Sequence, residues 1–253
     1  NMGRRLYETQ PVFKEHVDRG LALLRKRVEH DPISLLFPDA AGRERAAAEL
    51  ERPSYQLPLI FIVEFALAKL WQSWGVTPAA LIGHSVGENT AAAISGVFAY
   101  EEALDLILLR GRLMDEVPEG AMLSVPLSVN QLRPLLGNDL DLACVNAPEL
   151  CVASGPRGAI LSLQRQLAER EVEGQLIRIQ IAAHSRMLEP ALARFGAFLS
   201  TMRLSAPSIP IVSNRTGKLL KPEEARSPEY WVEHLRHTVL FGDGIGTLLE
   251  QPG

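Results

Sequence analysis

The segment "PAALIGHSVGENTAAA", residues 78–93, constrains the fold more than any other stretch of the chain. Apolar Ala79–Ile82 reads as a short strand, Gly83–Gly87 as a turn, and "ENTAAAISG" as a helix closed by Gly96. Strand, sharp turn and helix in that order are the unit of α/β architecture. The Gly-x-Ser-x-Gly turn exposes a serine hydroxyl at its tip. Side chains beside so tight a turn collide, so glycine is expected at both flanks, Gly83 and Gly87. The backbone N–H after the serine points to the same space, and the helix adds its positive end. Ser85 is therefore a candidate nucleophile and the Val86 N–H a candidate oxyanion donor.

A chain of 253 residues accommodates one large domain, or a main domain with a smaller insertion. Its net charge of −4 offers no basic surface to nucleic acid. The longest apolar run, "LPLIFIVEFALAKLW", is broken by Glu64 and Lys69, which predicts a buried core helix and no membrane span. Pro58 suits the first turn of that helix and Gly75 the residue just past its end. Cys144 and Cys151 sit in apolar surroundings, as buried thiols do in a reducing cytoplasm, and a cytoplasmic location is expected. No His, Cys or Asp cluster has metal-ligand spacing, so no metal is expected. The opening "NMGRRLYETQ" lacks a lead-in strand and the closing "LLEQPG" stops just after a helical pattern. Both termini read as truncated edges of a longer polypeptide.

Residues 121–180 change character. "AMLSVPL" reads as a strand, "VNQLRPLL" as a helix, "LDLACVN" and "ELCVASG" as paired strands, "GAILSLQRQLAER" as a helix and "GQLIRIQI" as a strand. The order β-α-β-β-α-β is the split, ferredoxin-like unit. The expected organisation is an α/β fold with a large subdomain over 1–120 and 181–253, interrupted by a small ferredoxin-like subdomain over 121–180.

A serine nucleophile needs a base. Of the six histidines, His16 and His30 lie on a polar N-terminal segment, and His84 adjoins the serine on a turn where neighbouring side chains diverge. His184, in "IQIAAHSRMLEP", follows an apolar strand, precedes a helix and has small neighbours in Ala182 and Ala183. No Asp or Glu presents itself as a third member, which favours a Ser–His dyad whose histidine is oriented by a backbone carbonyl or an amide. Arg110, in "LILLRGRLMDE", interrupts an apolar helix face and suits a bidentate carboxylate clamp, with Arg112 as its competitor. Asp243-Gly244 in "FGDGIG" leaves a serine–aspartate lipid hydrolase as a rival enzyme class, with Asp243 otherwise expected to cap a helix. A non-catalytic scaffold domain is the remaining alternative.

With these residues in place, "GHSVGE", "RGRLM", "HSRMLEP", "VSNRTGKLL" and "PEYWVEHLR" resemble the malonyl-CoA:ACP transacylase family, closest to the acyltransferase domains of type I polyketide synthases. The resemblance covers almost the whole chain. It implies an α/β-hydrolase-like large subdomain with a ferredoxin-like small one, and a site in the cleft between them. It implies that Ser85 carries an acyl group from coenzyme A to the phosphopantetheine thiol of an acyl carrier protein, with no bound cofactor. His184 is then the base, Arg110 rather than Arg112 the carboxylate anchor, and a carbonyl near His234 the group that orients the base. A ketosynthase domain is the implied neighbour, and no nucleic acid or membrane partner is expected. The family's GQG strand, whose glutamine supplies a second oxyanion donor, is not in this sequence. Asn89 stands where a tyrosine is common. Residues 181–184 read Ile-Ala-Ala-His where malonyl-type members usually have HAFH and methylmalonyl-type members YASH. Small Ala183 leaves room for a 2-methyl branch and Ile181 fits neither pattern, so malonyl is favoured with methylmalonyl close behind.

Overall fold

The computed structural model describes residues 2–250, so the chain's closing "QPG" lies outside the described residues. Helices of nine residues or more are α1 (Pro11–Arg25), α2 (Pro53–Ser73), α3 (Val86–Ile94), α4 (Tyr100–Glu116), α5 (Arg157–Ala168), α6 (Glu189–Leu199), α7 (Pro228–Arg236) and α8 (Phe241–Leu249). The strands are β1 (Leu81–Ile82), β2 (Gly120–Val125), β3 (Asp141–Ala147), β4 (Leu150–Pro156), β5 (Gln175–Leu176) and β6 (Ile211–Val212). Shorter helical turns join them.

The apolar stripe read on the first helix is present: Phe13, Val17, Leu21 and Leu24 of α1 are all buried. They pack with α2 and α4 around an aromatic centre, where the Phe65 and Tyr100 rings lie 4.4 Å apart and those of Phe61 and Tyr100 lie 5.4 Å apart. Each such side chain contributes about 1.5–3 kcal/mol by leaving water. Although α2 is long and apolar enough to cross a membrane, it is buried among these neighbours through Leu59, Ile62, Ala66 and Leu70. Its start differs from the expectation. Pro53, not Pro58, occupies the first turn, and Pro58 lies inside the helix at the cost of one backbone hydrogen bond. At the crossing of α2 and α4, a Cβ on Gly111 would lie 2.5 Å from the Pro53 carbonyl oxygen, so glycine lets the helices meet. That approach carries Arg110, the preceding residue, into the molecule's interior, where it is 2% exposed.

β1 and β6 pair in parallel, Leu81 opposite Ile211 and Ile82 opposite Val212. The second sheet is antiparallel throughout, in the order β3-β4-β2-β5, which is the strand order of a ferredoxin-like βαββαβ unit. Strand alternation gives it two apolar faces. Ala121, Leu123 and Val125 point towards Ile160, Leu163 and Leu167 of α5, whereas Met122, Cys144 and Val152 point the other way. Two parts of this unit are shorter than expected. "VNQLRPLL" forms one helical turn at Val129–Leu132 and a 3₁₀ turn at Arg133–Leu135, because Pro134 has no N–H to continue the first. "GQLIRIQI" pairs as a strand only at Gln175–Leu176. Beyond it the chain stays tied to β2 by single bonds, Ile177 N–H to Met122 O at 2.9 Å and Gly120 N–H to Gln180 O at 2.9 Å. Cys144 and Cys151 are both buried free thiols on β3 and β4, neither opposite the other.

Candidate functional site

Ser85 sits between β1 and α3 with φ 53° and ψ −116°, a conformation that L-residues rarely adopt. The tightness of the turn falls unequally on its glycines. A Cβ on Gly83 would lie 2.0 Å from the Gly87 carbonyl carbon, which no relaxation accommodates, whereas a Cβ on Gly87 would meet no atom within 4 Å. The expected need for glycine at both flanks thus holds for Gly83 alone, because only its Cβ direction faces the start of α3.

His184 also has positive φ, 55°, and Glu171 is the one other non-glycine residue with positive φ among the described residues. Two strained residues therefore face each other at one site, held there by the surrounding structure. Ser85 Oγ lies 2.7 Å from His184 Nε2. The other ring nitrogen, Nδ1, lies 3.0 Å from the carbonyl oxygen of His237, which fixes the proton on Nδ1 and leaves Nε2 free to accept from the serine hydroxyl. The family resemblance placed the orienting carbonyl near His234. The direct bond falls three residues later, on His237, and the His234 carbonyl adds only the weaker effect. Both lie at the C-terminal end of α7, where the last carbonyls have no partner inside the helix and the dipole is negative. The Nδ1 partner is thus a helix-end carbonyl and not a carboxylate. Burial, and then the nearby Arg110 cation, push His184 down to about 3, so its imidazole is neutral at pH 7.

Arg110 completes the group. Its Nη2 donates to Ser85 Oγ at 2.8 Å and its Nη1 to Asn89 Oδ1 at 2.9 Å. Its Nε–H is buried with no hydrogen-bond partner. The Nε–Nη2 edge of the guanidinium therefore has donors to give an incoming carboxylate. Burial lowers Arg110 to about 10, partly offset by Glu88, and it remains a cation at neutral pH. Arg112 points elsewhere and donates to the Arg27 carbonyl. Val86 is the first residue of α3, so its N–H has no partner within the helix. His84 diverges from the serine, with Nε2 lying 2.9 Å from Asn146 Oδ1.

These groups open on a cavity of about 250 Å³. Ser85, Val86, Arg110 and His184 provide its polar end, while Ile181, Ala183, Met122 and Val152 are among its apolar walls. Asp243 is apart from it, in the first turn of α8 and not at the helix cap, lining a different pocket. Among the described residues, no cluster of His, Cys, Asp and Glu could hold a metal ion.

The chain matches the family model described as acyl transferase domain over residues 1–252. It belongs to the acyl transferase domain family. It is 35% identical over 251 residues to a subunit of the phenolphthiocerol/phthiocerol polyketide synthase of Mycobacterium tuberculosis, covering 99% of this chain and 16% of that protein. It is 37% identical to the spectinabilin polyketide synthase system protein NorB of Streptomyces orinoci, covering 98% of this chain and 12% of that one. The chain thus spans only a small part of the length of either relative. Among solved structures, the acyl transferase domain of SpnD in complex with 2-(pent-4-yn-1-yl)malonyl superposes with TM-score 0.91 at 38% identity, over 98% of this chain and 59% of that one.

Behind the serine, this acyl transferase domain carries a buried polar network that no sequence motif announced. Asn214 spans the elbow, its Oδ1 accepting from the Ser85 N–H at 2.8 Å and its Nδ2 donating to the Gly83 carbonyl at 2.7 Å. Its own N–H donates to Glu88 Oε2 at 2.6 Å, and the Tyr230 hydroxyl donates to Glu88 Oε1. Glu88 is fully buried, and desolvation raises its carboxyl to about 7 despite those donors. His234 Nε2 lies 3.6 Å from Glu88 Oε2, but burial holds this imidazole well below its ordinary value, so the contact is no ion pair. The signal available was Glu88 and Asn89 in the first turn of an otherwise apolar helix. Such residues are dehydrated there, and each must find a partner.

Proposed function

We propose that this acyl transferase domain moves a malonyl or methylmalonyl extender unit from coenzyme A, through an ester on Ser85, to the phosphopantetheine thiol of an acyl carrier protein in polyketide biosynthesis. The observation that carries the proposal is the single hydrogen-bonded set of Ser85, His184 and Arg110, at 2.7 Å and 2.8 Å from the serine oxygen. The polyketide synthases named above, and the malonyl-type ligand of the SpnD domain, add to it.

The reaction has two halves. His184 Nε2 takes the Ser85 proton as Oγ attacks the thioester carbonyl. The Val86 N–H donates to the developing oxyanion. His184 returns the proton to the departing coenzyme A thiolate, and the malonyl group remains as an ester. Its carboxylate lies against the Nε–Nη2 edge of Arg110, with Asn89 steadying Nη1. The carrier's thiol then gives its proton to His184 and attacks the ester, and His184 passes that proton to Ser85 Oγ as the ester bond breaks and the serine is released. Each half leaves His184 neutral, ready for the next, and ping-pong kinetics follow. Ile181 and Ala183 bound the space around the α-carbon. We assign residues 121–180 as the small subdomain on its separate apolar cluster, a cytoplasmic location, and a ketosynthase as neighbour in the same polypeptide.

The test is transfer of labelled malonyl from coenzyme A to a holo carrier protein by the full-length protein. Parallel double-reciprocal lines are expected. Rapid turnover of a neutral ester with no carrier-dependent transfer would instead favour a hydrolase.

A further inference from the structure

A second cavity, of about 510 Å³, adjoins the one at Ser85: Glu51, Gln56, Ile177 and Ile179 are among the residues of the second, and Glu51, Gln56, Ile177 and Ile179 line the first as well. Its remaining wall holds two arginines, Arg157 at the start of α5 and Arg178 just beyond β5. Among the described residues, neither guanidinium has an ion pair or a side-chain hydrogen bond, and both side chains are exposed. Other arginines on this molecule are ion-paired, among them Arg27 with Asp105, Arg186 with Asp141, Arg194 with Glu116 and Arg215 with Glu233. Glu51, the carboxylate that lines the second cavity, makes no bond to either arginine. Two unpaired, planar cations in a concave site that continues into an acyl-binding cavity suit a phosphorylated ligand arm.

We propose that Arg157 and Arg178 form a phosphate-binding subsite that holds the phosphates of the phosphopantetheine-bearing thioester while its acyl end lies at Ser85. The inference rests on the acyl transfer proposed above. The shared chemistry is a phosphate ester on a pantetheine arm, and it has two sources, coenzyme A and the carrier protein. Glu51 and Gln56, at the junction of the cavities, supply an acceptor and a donor for the arm's amides. No covalent step is involved. The subsite raises the occupancy of the thioester and leaves the chemistry to Ser85 and His184.

The experiment compares Arg157→Ala, Arg178→Ala and the double variant with wild type in the full-length protein. The donors are malonyl-CoA and the phosphate-free malonyl N-acetylcysteamine thioester. Exposed charge pairs with phosphate are individually modest, so KM for malonyl-CoA rises about three- to tenfold per substitution. The truncated thioester is unaffected and kcat is unchanged. Added salt narrows the difference between variant and wild type, because it screens the arginines. A parallel rise in KM for the holo carrier assigns the arginines to the phosphate common to both arms. A rise confined to coenzyme A assigns them to its nucleotide phosphates. Equal KM for malonyl-CoA in variant and wild type, or equal changes with both thioesters, overturns the proposal. A calorimetric measurement of free coenzyme A against pantetheine reads the subsite without turnover. Weaker coenzyme A binding by the double variant, with pantetheine binding unchanged, sustains the subsite even if no acyl group is transferred. Unchanged coenzyme A binding removes it while leaving the transfer reaction standing.

Discussion

Arg110 Nη2 donates to Ser85 Oγ at 2.8 Å, so the side chain proposed to hold a substrate carboxylate already touches the hydroxyl oxygen of the proposed nucleophile. The same guanidinium has a buried, unpartnered Nε–H. A carboxylate on the proposed acyl group would satisfy both donors at once. Arg110→Ala should therefore lower kcat/KM for malonyl-CoA about 10- to 100-fold more than for acetyl-CoA, the value of a charged hydrogen-bonded contact. Equal losses with the two thioesters would show that Arg110 does not read the carboxylate.

The same arginine adds to the burial that lowers His184. His184 is held at about 3 by burial and then by the Arg110 charge, so the neutral, proton-accepting form predominates above that pH. The acid limb of acyl-enzyme formation should lie below about pH 5. Removing the cation in Arg110→Ala favours the imidazolium, raises the His184 value and moves that limb to higher pH. Acetyl loading measured across pH checks this, since acetyl has no carboxylate to complicate the comparison.

Gly83 and Gly87 should part company under mutation. Gly83→Ala puts a methyl group 2.0 Å from backbone and should abolish soluble folding or cost more than about 3 kcal/mol. Gly87→Ala meets no atom within 4 Å and replaces glycine inside a helix, so it should be neutral or stabilising by up to about 1 kcal/mol. Thermal melts of the two variants decide.

Glu88 should make stability fall as pH rises. Its carboxyl titrates near 4.5 when free and at about 7 when folded, so between those values the folded chain binds more protons than the unfolded one. Unfolding free energy should decline across that window. Glu88→Gln should remove the decline, and at about pH 5 it should cost about 1–3 kcal/mol, because an amide nitrogen cannot accept from Asn214 or Tyr230. A pH series of denaturant midpoints checks both effects.

Much of the candidate site's geometry was legible because its parts are local. The elbow is one strand, one turn and one helix start, and the run of small residues before His184 marks the room that its turn needs. The βαββαβ order follows from apolar alternation within 121–180 and reappears as the strand order β3-β4-β2-β5. The contacts that stayed hidden join distant segments. Asn214 reaches Ser85 across 129 residues, and Tyr230 reaches Glu88 across 142. No spacing rule encodes such pairs. His234 and His237 lie within one helical turn of each other, and their order towards His184 depends on where α7 ends. Helix ends are the least determined part of any sequence pattern. Pro58 misled for a related reason: proline marks a first turn only when no better start precedes it, and Pro53 does.

Whether Ser85 carries the acyl group is measured most directly by intact-protein mass spectrometry of the full-length protein after brief exposure to malonyl-CoA. The predicted result is one malonyl adduct, lost on adding holo carrier protein, mapped to the peptide containing Ser85 and absent in Ser85→Ala. An adduct that persists in Ser85→Ala, or no adduct in a folded wild-type protein, would contradict it.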